Sequence, residues 1–183
     1  MSDRRSETRA ASRAELRADV RRLVGRMLVD MGLPVAVVGE DRFLTQLAGE
    51  HKRTIPVLLH VDERSLKVSS LLAGRPDEQH DVVHRLLLHR NQRPAPVHFA
   101  IDDEGDLLIV GRMPLEGVDE DALDELLGVV LAMADDIFDR VLTLGFASYV
   151  DAEQRWRARE GLPPNPVGEA VFVIDVAGGE SAS

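Results

Sequence analysis

Hydrophobic and polar residues change period several times along this chain, and each change marks an element. Leu16, Val20, Leu23, Val24, Met27, Leu28 and Met31 fall on one helical stripe. Ser12 and Glu15 are spaced as a capping box ahead of it. Gly32-Leu33-Pro34 stops it, since glycine end-caps and proline cannot donate, so the spacing predicts a helix of about five turns. Three runs of period two follow: Arg42 to Ala48, Thr54 to Val61 and Ser65 to Leu72. Their short polar connections, Glu50 to Arg53 and Asp62 to Arg64, fit hairpin turns and make antiparallel neighbours the expected topology. Pro56 lacks a donor, so its strand either pairs there through its other groups or lies near an edge.

After Gly74 a second helix is expected, with Asp77 as its cap, Val82, Val83, Leu86 and Leu87 as its stripe, and His89, Arg90 and Arg93 against its C-terminal dipole. Pro94 and Pro96 end it. Val97, Phe99 and Ile101 then begin a hairpin that turns at Asp103-Glu104-Gly105 and returns through Leu107 to Val110. A long third helix follows, capped by Asp119, with Val118 placed to staple on Leu123. Its stripe, Leu123 to Val141, is widened by Val129, Leu131, Met133 and Leu142. So broad a face needs two coverings: the sheet, and a partner subunit or the C-terminal segment.

These patterns predict a two-layer α+β domain with a mainly antiparallel five-stranded sheet, in the order helix, three strands, helix, two strands, helix. The domain is expected over residues 12–144, after a disordered N-terminus at 1–11. Residues 145–183 form an extension: a short helix near Asp151 to Glu160, a linker at Pro163-Pro164-Asn165-Pro166, a strand-like run from Ala170 to Val176, and a disordered end.

The chain has 183 residues, 44% of them apolar, enough for one core and too few to demand a second domain. It contains no cysteine, which excludes disulfides, thiolate metal sites and cysteine nucleophiles. Residues 1–11 lack the apolar stretch of a signal peptide and no window is long enough to span a bilayer, so a cytoplasmic protein without membrane contact is expected. The net charge of -10 argues against nucleic acid as a partner. Its distribution is uneven: Arg4, Arg5, Arg9, Arg13, Arg17, Arg21, Arg22 and Arg26 outnumber the nearby acids. They form either an interaction arm or a solvated helix face, and the second reading is the simpler.

Leu86-Leu87-Leu88-His89-Arg90-Asn91, the following Pro94, the turn Asp102-Asp103-Glu104-Gly105-Asp106 and Leu115-Glu116-Gly117-Val118 entering an acidic helix resemble the actinobacterial YbjN family. That family carries the label of a sensory transduction regulator, and its fold is similar to that of type III secretion chaperones. The resemblance covers roughly Glu15 to Leu144 and implies a chaperone-like fold and a non-enzymatic role. It brings no catalytic residues, leaves the segment from Gly145 unexplained, and does not imply a secretion system.

Candidate chemistry is sparse. His80 and His84 lie one helical turn apart, as in a helical metal pair, but Asp81 stands where such helices carry Glu and no further ligand motif follows. The acidic turn at Asp102 resembles a calcium loop in composition only, because its twelfth position is Met113. Asp135, Asp136 and Asp139 share part of one helix turn and suit either a cation, a basic partner or a solvated face. No catalytic, cofactor or metal residue is therefore assigned, and no enzyme is expected.

If Ile55, Val57, Leu59, Val97, Phe99 and Ile101 face the helices, then Leu58, His60, Lys67, Leu71 and His98 share the opposite face. A mixed apolar and polar surface of this kind suits a partner segment, a second subunit or the chain's own tail. The expected function is a non-catalytic interaction module, chaperone-like or regulatory, acting as a homodimer through the sheet face or the last helix. A small-ligand sensor is the alternative, and a metal-dependent enzyme comes third.

Overall fold

Strand alternation decides which side of the sheet is covered. Ile55, Val57, Leu59 and Val61 are all buried while Pro56, Leu58 and His60 between them are only partly so, as period two requires. The structure, a computed structural model, describes residues 2–163, with side chains from residue 11 onward; the run Ala170 to Val176 and the end of the chain lie outside them.

Helix α1 (Ser2–Asp30) leads to strands β1 (Val35–Val37), β2 (Arg42–Leu47), β3 (Ile55–Val61) and β4 (Ser65–Ala73), then helix α2 (His80–Arg90), strands β5 (Val97–Ile101) and β6 (Leu107–Pro114), and helices α3 (Glu120–Gly145) and α4 (Ala147–Arg159). The sheet has six strands, in the order β1-β2-β3-β4-β6-β5, and every neighbouring pair is antiparallel. The expected five-strand count misses β1, whose three residues are too few to show a period. Pro56 sits opposite Gln46 of β2, where the pairing of β3 with β4, which starts at Leu58 opposite Ser69, is already over. Its missing donor therefore breaks no rung toward β4.

One face of the sheet packs on α1, α2 and α3. Val20, Val24 and Leu28 of α1 meet Phe43, Leu59 and Val61 in one core with Leu123, Leu127, Val130, Ala134, Ile137, Phe138 and Val141 of α3. Each of these Val, Leu, Ile and Phe side chains contributes about 1.5–3 kcal/mol on burial. Arg17 locks α1 to the sheet edge, pairing with Asp41 and donating from Nε to the Val61 carbonyl at 3.3 Å.

Four local expectations need correction. Helix α1 does not begin at Ser12; it starts at Ser2 and takes in most of the segment expected to be disordered, since no glycine or proline precedes Gly25 and Arg, Ala and Glu favour the helix. Asp77 does not cap α2. Gln79 occupies that position in a left-handed conformation, and the Asp77 and Glu78 amides instead donate to the Gly145 carbonyl at 2.9 and 3.2 Å. The wide stripe of α3 is covered by the sheet together with α1 and α2, with α4 of the C-terminal segment against its end. Ile101 does not face the helices as a core residue; it is exposed at the end of β5. The Asp119 cap is found as expected, accepting from the Ala122 amide at 2.8 Å.

Candidate functional site

The outward residues of the sheet form rows that cross the strands, because antiparallel pairing sets them opposite one another. Arg42 lies opposite His60, His60 opposite Lys67, and Lys67 opposite Arg112, making one basic row over β2, β3, β4 and β6. Two residues along each strand lies a second row: Leu44, Leu58, Ser69, Val110 and His98. Leu71, Leu108 and Ala100 form a third. Consecutive rows are about 6.7 Å apart, the rise of two strand residues.

A shallow trough of about 530 Å³ opens on the first two rows, lined by Arg42, Leu58, His60, Lys67, Ser69, His98, Val110 and Arg112 among others. Of the five residues expected on this face, Leu58, His60, Lys67 and His98 line the trough together. Leu71 lies on the same face but in the third row, outside it. Alternation alone located these positions; it missed Arg42 and Arg112, whose place in the row depends on register across four strands.

Charge on the trough is only partly neutralised. Lys67 pairs with Asp62, and that contact, with the Glu63 amide donating to the same carboxylate, lowers Asp62 to about 2. Asp41, next to Arg42 in sequence, is committed to Arg17. Among the described residues Arg42 and Arg112 have no ion-pair partner. No described helix packs over the rows: α1, α2 and α3 lie on the other face, and α4 leans on α3.

The remaining sequence candidates have local structural roles. Asp135 accepts the His51 and Lys52 amides at 2.8 Å each, Asp139 meets His51 Nδ1 at 2.7 Å, and Asp136 pairs with Arg90 at 2.9 Å. Asp135 and Asp139 pin the loop after β2 to α3, and Asp136 ties α2 to α3, beside an open cleft of about 640 Å³. Gly49 is required there, because a Cβ would come within 2.3 Å of Asp135 Oδ1 and 2.8 Å of the Lys52 carbonyl. The loop also carries Lys52, which in the sequence looks like an ordinary polar turn residue. Its Nζ is buried, donates to the Leu72 carbonyl at 3.0 Å and lies 4.6 Å over the Phe138 ring; burial lowers its pKa to about 8.

His80 and His84 meet edge to face with ring centroids 6.3 Å apart, and among the described residues no three His, Asp or Glu side chains converge as metal ligands. In the acidic turn, Asp102 Oδ1 accepts the Glu104 and Asp106 amides at 3.1 and 2.8 Å while Gly105 adopts φ 92°, so the carboxylate shapes the turn itself. No described helix is long and apolar enough to cross a membrane.

Comparison with known proteins adds a family and a fold. The YbjN family model, described as "Putative bacterial sensory transduction regulator", matches residues 21–143. An uncharacterised protein of Mycobacterium leprae is 37% identical over 142 residues, 78% of this chain and 77% of that protein. An uncharacterised protein of Mycobacterium tuberculosis strain H37Rv is 40% identical over 118 residues, 64% of each chain, so the match spans just under two thirds of that relative. Among solved structures, a chain of the ExsC–ExsE complex superposes with a TM-score of 0.51 at 18% identity, covering 66% of this chain and 91% of that one. The Yersinia pestis type III secretion chaperone SycH, solved with a fragment of YscM2, gives a TM-score of 0.45 at 16% identity over 63% of this chain and 96% of that one. The likeness to the ExsC–ExsE chain is one of fold: the α+β layout read from the sequence is the layout of that chain.

Proposed function

Because this chain belongs to the YbjN family, we propose that it is a non-catalytic protein-interaction module, chaperone-like or regulatory, that holds a segment of a partner protein on the outer face of its sheet. The observation that carries this is the uncovered trough, in which Leu58 and Val110 stand beside a basic row while every described helix packs elsewhere. Apolar side chains left on a sheet face, bordered by charge, are the usual anatomy of a partner site. The similar chain of the ExsC–ExsE complex was itself solved in a complex, which supports the same reading.

Within this reading the protein acts in the cytoplasm as a homodimer. Besides the sheet face, α4 offers surface for self-association, where Tyr149 and Trp156 are 57% and 48% exposed. Light scattering of the full chain and of Trp156→Ala at two concentrations tests the pairing: a dimer mass that the substitution lowers is expected, and a monomer at both concentrations overturns it.

A photo-crosslinking residue placed at Leu58 or His98, compared with one at Val29 on the exposed side of α1, tests the partner site in the native cytoplasm. Adducts to one defined protein are expected from the sheet positions and not from Val29. Adducts from Val29 alone, or none from the sheet, would overturn the proposal.

A further inference from the structure

The two outward rows over β2 to β6 prescribe a chemical pattern for whatever lies between them. The basic row runs Arg42, His60, Lys67, Arg112, and the mainly apolar row runs Leu44, Leu58, Ser69, Val110. With strands about 4.8 Å apart, Arg42 and Arg112 are separated by three strand steps, about 14 Å. An extended segment laid across the strands in the furrow between the rows sends alternate side chains to opposite sides. Those reaching the basic row recur every second residue, so its positions i and i+4 are also about 14 Å apart.

Resting on the partner-site reading above, we infer that the occupant is an extended segment of another protein in which carboxylate residues alternate with apolar ones, the carboxylates on Arg42 and Arg112 and the apolar side chains on Leu44, Leu58 and Val110. Charge complementarity singles out this chemistry. The protein as a whole carries -10, yet on this face the cations outnumber the acids, and the nearby carboxylates Asp41 and Asp62 are already held by Arg17 and Lys67. Arg42 and Arg112 therefore bring two uncommitted guanidinium groups, each able to take a carboxylate in a bidentate contact. A nucleic acid fits less well: its charge would meet the acidic remainder of the surface, and the two rows carry no Phe, Tyr or Trp for a base to stack on, only the imidazoles of His60 and His98.

The test titrates the full chain with labelled synthetic peptides of alternating Glu and Leu, of alternating Lys and Leu, and of Glu and Leu in two separate blocks, with single-stranded oligouridylate as a further probe. Binding of the alternating Glu–Leu peptide is expected, weakened at least about tenfold by Arg42→Glu with Arg112→Glu, and that variant is expected to prefer the Lys–Leu peptide. Arg42→Gln with Arg112→Gln serves as the milder pair if charge reversal disturbs folding. Equal binding of the block or Lys–Leu peptide, tighter binding of the oligouridylate, or no peptide binding overturns the inference. If Leu58→Ser with Val110→Ser abolishes binding while the arginine variants do not, the sheet face stands as the site and only the acidic alternation falls. The crosslinks from Leu58 and His98 test the face independently of these peptides.

Discussion

Asn91 and Phe99 are joined by two hydrogen bonds that copy a strand pairing: the Phe99 amide donates to Asn91 Oδ1 at 2.8 Å, and Asn91 Nδ2 donates to the Phe99 carbonyl at 3.0 Å. One side chain from the end of α2 thus occupies the outer edge of β5. Replacing it with alanine leaves a donor and an acceptor of a buried residue without their partner, which costs about 1–3 kcal/mol. Asn91→Ala is therefore expected to lower the unfolding free energy measured in urea by that amount, with faster exchange of the Phe99 amide. Unchanged exchange at Phe99 would count against the pairing.

Lys52 makes stability depend on alkaline pH. Its folded pKa, lowered by burial to about 8, lies below the ordinary value of 10.5, so between these the unfolded chain binds more protons and stability rises with pH. The rise is on the order of 3 kcal/mol. Lys52→Met keeps the stem over Phe138 and removes the buried charge; it is expected to be more stable than the parent at pH 7 and to flatten the profile from pH 8 to 10.5. Denaturation across that range checks both.

His51 responds in the opposite sense. Its hydrogen bond to Asp139, with the nearby carboxylates, raises its pKa above 6.5, so the ion pair stabilises the folded state below 6.5 and that contribution is lost as pH climbs through the raised value. An NMR titration of His51 is expected to move down in Asp139→Asn. Asp135→Ala removes the acceptor of two loop amides and is expected to destabilise by about 1–3 kcal/mol.

Thr45 points inward from β2 with its hydroxyl buried, and among the described residues Oγ1 has no hydrogen-bond partner. Thr45→Val replaces that hydroxyl with a methyl of similar volume and is expected to stabilise by about 1–2 kcal/mol in thermal or urea melts. A loss of stability would mean that the hydroxyl is satisfied in solution.

What was legible in the sequence was whatever a local period could carry. Ile55 to Val61 alternate cleanly, the stripe of α3 from Leu123 to Val141 repeats for about five turns, and Leu58, His60, Lys67 and His98 followed from choosing one face. The six-strand order also needs β1, which is too short to have a period. Arg42 and Arg112 are seventy residues apart, and only the pairing of β2 with β3, β3 with β4 and β4 with β6 sets them in one row. Lys52 reads as a solvated turn residue because no local pattern announces that Phe138 and the Leu72 carbonyl will enclose it.

The sealing of β5 gives the sheet two unlike ends. At the other end, among the described residues, β1 pairs only with β2, and Val37 and Val38 are exposed there. A sheet with both edges open can be extended indefinitely by further copies, which is the geometry of a fibre. With the Phe99 amide and carbonyl already engaged by Asn91, the middle of β5 is a poorer place for a further strand to add than β1. Asn91 therefore guards the middle of the β5 edge against the addition of another strand.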